Sequence, residues 1–163
     1  MRDQYYRERS DLAAVLRWAA RENLQEAAGN HCSLSVSDNG DKFLINPDGR
    51  YFSTLKGSDL ILVDLNDHTG TDQANISAWL LHGQILQKVE KAKCVLHLHP
   101  KYATVLATLV DSTIYPIDQV SMRFFGRVAF DSEFSGMIVD QTEADRLCDK
   151  LTEKQILIMG NHG

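Results

Sequence analysis

Four short apolar runs, "LILVD" (60–64), "CVLHLH" (94–99), "RVAF" (127–130) and "QILIM" (155–159), limit what this chain can fold into. Each has the length of a strand, and the stretches between them carry apolar residues near helical spacing. Residues 75–91 place Ile76, Trp79, Leu80, Gly83, Leu86 and Val89 on or near one stripe of a helix. Pro100 opens a further helix over 101–110 as a first-turn proline, and 141–151 read as a charged helix. Strands alternating with helices imply a layered α/β or α+β domain.

The earlier residues fit the same scheme. Residues 3–28 form an amphipathic helix, with Leu12, Val15, Leu16, Ala19 and Ala20 near helical spacing and Gly29 as its expected terminator. "SLSV" (33–36) and "KFLIN" (42–46) read as a hairpin turning at Asn39-Gly40, and "NPDG" (46–49) as a turn. There is no repeat, low-complexity segment or linker. With 163 residues, 44% of them apolar, the expectation is one domain over residues 1–163. The last strand runs into "GNHG" with nothing after it, so cover is expected from a C-terminal segment beyond this sequence or from a partner chain.

The charge pattern removes several function classes. A net charge of −5 without a basic block gives no support to a nucleic-acid surface. No apolar run approaches the roughly 20 residues of a membrane span, and "MRDQYYRERSDL" lacks the apolar core of a signal peptide. Cys32, Cys94 and Cys148 are not in a Cys-x-x-Cys arrangement. They read as small buried residues of a protein in a reducing cytoplasm.

Chemistry enters with "CVLHLHP". Alternate residues of a strand project to one face, so the imidazoles of His97 and His99 point the same way, about 6.5–7 Å apart at Cα. Alone, the pair fits either a metal site or two polar residues at a strand end. Two observations favour a metal: the strand ends at the second histidine, and His162 occupies the same kind of position after "QILIM". Three imidazoles plus water is the pattern of a catalytic zinc site, and the ligand type equally permits Fe2+, Mn2+ or Co2+. His82 is then either a group behind the metal or a core histidine. His31 either caps backbone groups or touches substrate, and His68 sits in a solvated loop.

The sequence resembles the class II aldolase/adducin family through "AGNHCSLSV", "INPDGRYFSTLKGSDLILVD", "CVLHLHPKYATVLA" and "QILIMGNHG", in that order along nearly the whole chain. The resemblance implies a three-layer α/β/α sandwich around a mostly antiparallel sheet, and homotetramers with active sites between subunits. It implies metal roles for His97, His99 and His162, and it sets Gly29, Asn30, Ser33 and Ser77 beside a small-molecule substrate.

The departures matter as much. In "SAWLLH", Ser77, Trp79 and His82 fit the family pattern, but Ala78 stands where catalytic members carry glutamate, and alanine moves no proton. Asp48 in "PDG" faces the expected phosphate position. Counting from Pro116, Val120 with Gln119 before it replaces the aldolases' tyrosine acid. "SAWLLH" with "PIDQVSMRFFGRVAF" is similar to a less characterised branch whose relatives include decarboxylases and non-haem iron oxygenases. There Gln119 and Arg123 are candidate substrate contacts, Arg123 pairing with a carboxylate. The alternative for Arg123 is a surface or interface salt bridge. The expected activity is a metal-dependent lyase cleaving a carbon–carbon or carbon–oxygen bond of a small hydroxy- or oxo-carbonyl or sugar-derived compound through a metal-stabilised enediolate. His82 or a metal-bound water is then the proton carrier. The alternatives are a three-histidine Fe(II) oxygenase or decarboxylase, and an adducin-like interaction module without catalysis.

Overall fold

The computed structural model describes residues 4–133 and 136–163. The first residue of the expected N-terminal helix, Asp3, lies outside the described residues. Helix α1 (Tyr6–Arg21) buries Leu12, Ala13, Leu16 and Ala19 along one stripe. It ends well before Gly29. Asn23 turns left-handed at φ 56°, and the N–H groups of Asn23 and Leu24 close back on the carbonyls of Ala20 and Ala19. That closure is a Schellman motif built on asparagine, which tolerates the left-handed conformation, so no glycine is needed to stop the helix.

Strands β1 (His31–Ser35) and β2 (Lys42–Ile45) form the expected antiparallel hairpin, Leu34 facing Leu44. Gly40 in the connection has φ 75°, and any Cβ there would run into the Leu86 carbonyl. Both the conformation and the close approach demand glycine. Strand β3 (Ile61–Asp64) pairs antiparallel with β2, and β4 (Cys94–His97) with β1, giving the order β3-β2-β1-β4.

Period-two alternation then sorts the side chains between two helical layers. Cys32 and Leu44 meet Leu12 and Leu16 of α1, with Phe52 and Leu55 closing that side. Phe43, Ile45 and Val63 meet α2 (Ile76–Lys88) through Ala78 and Leu86. Asn75 starts α2 by accepting from the N–H groups of Ser77 and Ala78. The opposite side of α2, with Leu80, Leu81 and Ile85, packs on Leu147 and Cys148 of α4 (Gln141–Lys150). A helix squeezed between a sheet and another helix must be apolar nearly all round, as this one is.

Short α3 (Lys101–Ala107) follows β4. Strands β5 (Val128–Asp131) and β6 (Ile156–Met159) form a separate parallel pair with α4 between them in sequence. Buried Asp131 receives two hydrogen bonds from the Arg146 guanidinium at 2.9 and 2.7 Å, tying the end of β5 to α4. The architecture is the α/β/α arrangement around a mostly antiparallel sheet. No helix among the described residues is long and apolar enough to cross a membrane.

Three expectations need correction. Strand β4 ends at His97 rather than His99, because Pro100 is the N-cap of α3 and its extended backbone pulls Leu98 and His99 out of the ladder. Helix α3 stops at Ala107 rather than 110. Cys94 is exposed rather than core, although Cys32 and Cys148 are buried. Cys94 and Leu96 occupy the face of β4 that extends beyond α1, which lies over β1 and β2.

Candidate metal centre

Two strand ends, those of β4 and β6, bring three histidines to one point. His97 is the last residue of β4 and His99 lies two residues further along the same extended chain. After β6 the chain doubles back: Asn161 is left-handed at φ 58°, and the Met159 N–H donates to the Gly163 carbonyl at 2.8 Å. That turn swings His162 toward the end of β4. The Nε2 atoms of His97, His99 and His162 lie 3.1 Å from one another in all three pairs. Gly163 packs directly on His99; a Cβ there would come within 2.7 Å of the ring.

The donor set fits a divalent cation. Glu26 Oε2 lies 2.6 Å from His99 Nδ1, so that nitrogen carries the proton and Nε2 keeps its lone pair. A neutral imidazole nitrogen either donates or accepts. Among three mutually touching nitrogens, at most two of the three contacts can therefore be hydrogen bonds. An ion taking all three lone pairs resolves the conflict, and Zn–N bonds of ~2.0–2.1 Å place neighbouring nitrogens about 3–3.4 Å apart. Burial, followed by the neighbouring His31, holds His97 well below the usual histidine range, which keeps it neutral as a ligand must be. Burial lowers His162 in the same way.

Behind the triad lies a second set of imidazoles. His31 is the register partner of His97 on β1, and the rings stack with centroids 4.4 Å apart. His31 Nδ1 lies 3.0 Å from His82 Nε2, and His82 Nδ1 lies 2.7 Å from Ser33 Oγ. His82 and Ser33 have no exposed surface. Burial pushes His82 down to about 3, and burial followed by His82 lowers His31 well below its usual value.

A cavity of about 200 Å³ opens beside the triad, lined by His31, Ser77, Leu81, Met137 and Met159 together with His97, His99 and His162. Gly29 and Asn75 also reach it. A larger cleft, about 970 Å³, separates β4 from β6; it is not where the histidines converge, although His97 touches its wall.

The structure gathers some of the residues singled out in the sequence and not others. Gly29 and Ser77 line the small cavity, and Ser77 Oγ donates to the Ile138 carbonyl. Asn30 is buried behind the wall, where its Oδ1 accepts from the Glu26 N–H and so shapes the turn that presents Glu26. Ser33 and His82 are likewise behind the wall. Ala78 packs against the core and adds no polar atom to the cavity. Asp48 is exposed and accepts from Asn75 Nδ2 at 3.3 Å. Gln119 and Arg123 are exposed in the segment after α3 and do not line the cavity. His68 is in an exposed loop, as expected. Sequence reasoning missed Glu26 as the partner of His99. A carboxylate 73 residues before its histidine leaves no local signal.

Comparison with known proteins bears on the family and the fold. Residues 10–163 match the family described as the class II aldolase and adducin N-terminal domain. An aldolase II superfamily protein from Pseudomonas syringae superposes with a TM-score of 0.87 at 30% identity, covering 100% of this chain and 66% of that one. L-fuculose 1-phosphate aldolase from Glaciozyma antarctica PI12 shares the fold, with a TM-score of 0.80 at 24% identity over 96% of this chain and 61% of its own. Adducin-related protein C1289.14 of Schizosaccharomyces pombe is 29% identical over 99% of this chain and 52% of its own length. A Streptomyces roseochromogenus protein named 4-hydroxy-3-prenylphenylpyruvate oxygenase/4-hydroxy-3-prenylbenzoate synthase is 26% identical over 93% and 56%. The chain thus spans between about half and two-thirds of the length of these four proteins.

Proposed function

The chain belongs to the class II aldolase and adducin family, and from that premise we propose that it is a metal-dependent lyase. Its substrate is a small hydroxy- or oxo-carbonyl or sugar-derived compound, and the bond broken is carbon–carbon or carbon–oxygen. The observation that carries the reading is the Nε2 triangle of His97, His99 and His162, with an accessible cavity on one side. Those three residues would hold the ion, Zn2+ first and Fe2+, Mn2+ or Co2+ as alternatives. When bound, the ion supplies Lewis acidity toward adjacent substrate oxygens as the bond breaks.

The chain's own residues do the rest. Glu26 keeps His99 in the ligating tautomer. Gly29 and Ser77 shape the wall against which substrate lies, and Leu81, Met137 and Met159 exclude water from it. An unphosphorylated acid suits this site better than a sugar phosphate, because the Asp48 carboxylate is joined by one hydrogen bond to Asn75 on the cavity wall. His82 touches no substrate from its buried place, so it acts on substrate only through its contact with His31.

Gln119 and Arg123 reach substrate in a neighbouring copy, within a homo-oligomer of the tetrameric type. Support comes from the exposed apolar side chains around them: Tyr102, Val105, Leu109, Ile117, Val120 and Phe125.

A second reading, a three-histidine Fe(II) oxygenase or decarboxylase, is favoured by the all-nitrogen donor set, by Ala78 and by the similarity to the Streptomyces oxygenase. Elemental analysis with anomalous scattering at the triad tests the metal, and the expected result is close to one ion per chain. Fe(II) reconstitution without air, followed by oxygen-uptake assays on candidate acids, separates the readings: uptake favours the oxygenase and its absence the lyase. A metal content below about 0.1 per chain, unchanged in His97→Ala, would leave the interaction module.

A further inference from the structure

The Ser33–His82–His31 chain has one free end, and hydrogen-bond accounting fixes what that end presents. Ser33 is fully buried, and its hydroxyl touches one polar partner among the described residues, His82 Nδ1. If His82 donated to Ser33, the serine hydrogen would be stranded in a dry site, at a cost such sites seldom carry. Ser33 therefore donates to Nδ1, and the proton of His82 sits on Nε2. That nitrogen faces His31 Nδ1 at 3.0 Å, so His82 donates and His31 accepts. His31 is left with its own proton on Nε2. His31 lines the small cavity beside the metal-binding histidines, and its ring is clamped between His82 and the stacked ring of His97.

We propose that His31 donates a hydrogen bond through Nε2–H to an oxygen of the substrate in this cavity, with Ser33 and His82 as positioning residues that hold it in the donating tautomer. The inference rests on reading the cavity as the substrate site of a metal-dependent enzyme. A fixed neutral donor beside the reacting oxygens stabilises negative charge as it develops, without reorganising. That differs from the work of a carboxylate at position 78, which would take up a proton. A site with His31 and Ala78 is suited to holding an oxyanion rather than to acid–base exchange. Neither residue reveals this alone, since His31 precedes Ser33 by two positions and His82 by fifty-one.

Two measurements on the Zn2+-loaded protein test it. In 15N-histidine spectra, His31 is expected as the Nε2–H tautomer in the wild type; an Nδ1–H tautomer would overturn the proposal. Acetohydroxamate, which chelates zinc through two oxygens, serves as the substrate-like probe. His31→Leu is expected to weaken its binding about tenfold, the worth of one hydrogen bond to a charged group, with metal content unchanged. His31→Gln, which retains an N–H donor, is expected to recover part of the loss. Ser33→Ala is expected to shift the His31 tautomer and weaken binding by a smaller factor. Equal affinity in His31→Leu and wild type, at full metal content, sinks the His31 role alone. Failure to take up metal sinks the enzyme reading instead, while the tautomer remains measurable in the metal-free chain. Should His31→Leu not fold, His31→Gln and the wild-type spectrum still decide.

Discussion

Strands β2 and β4 flank the same neighbour, β1, yet they bury their residues very differently. Phe43, Leu44 and Ile45 of β2 have no exposed surface, whereas Leu96 of β4 keeps 43% of its own. The strands are equally apolar, and the difference lies in what crosses them. Helix α1 and the turn with Phe52 cover one face of β1 and β2, and α2 covers the other. The outer face of β4 lies past α1, and its free edge borders the 970 Å³ cleft. The candidate site sits on the seam between the two regimes. His31 and His82 come from the closed part and are held by packing. His97, His99 and His162 come from the open part, where the ends of β4 and β6, strands of two separate sheets, come together. The closed part can define a hydrogen-bond chain unaided, and the open part gains most from an ion that joins its strands.

The contrast can be broken most forcefully at Phe43. Phe43→Ala is expected to lower the unfolding free energy by about 3–5 kcal/mol in denaturant titrations, and a loss under ~1 kcal/mol would deny that this half is tightly packed. Acid should find the same half through His82. Its folded value, about 3, lies below the ordinary 6.5, so the unfolded chain binds the proton first. The contribution is fully present above about pH 6.5 and is lost as pH falls toward about 3, at ~1.4 kcal/mol per pH unit. Urea midpoints of metal-free protein should fall over that pH range, where His31, His97 and His162 add to the effect, and those of His82→Leu should fall less steeply; parallel curves would contradict the assignment.

Glu26→Gln sharpens the comparison on the open side. Removing the charge behind His99 is expected to weaken Zn2+ binding by about 10-fold to 100-fold in competition with a chelator. The smallest effect is expected at Leu96→Ser, within about 0.5 kcal/mol of wild type. A loss of 2 kcal/mol or more there would show that β4 is already covered in solution.

Much of this was legible in the residues. Short apolar runs, turn and proline signals, and helical spacing located the six strands and four helices of the described residues, because burial between layers selects apolar residues at those places. The two histidines of "HLH" share a direction for the same reason, and His162 joins them through a turn that Gly160-Asn161 allows. What the sequence did not disclose depends on contacts between distant segments. Glu26 meets His99 only because Asn23 stops α1 early and Asn30 pins the following turn. Ser33, a candidate for the substrate surface, turns inward because it is paired in register with Val95 on the α2 face. Cys94 is apolar enough for a core and is exposed only because α1 does not reach it.

Gly163 carries a consequence for recognising such centres in other chains. The ring of His99 occupies the space that a side chain at 163 would need. Three histidines at the right spacing therefore do not specify this centre by themselves. The small residue one step beyond His162 belongs to its signature as surely as the imidazoles do. A search that asks for His-x-His and a distant histidine, but ignores the position after it, would accept sequences whose triangle cannot close.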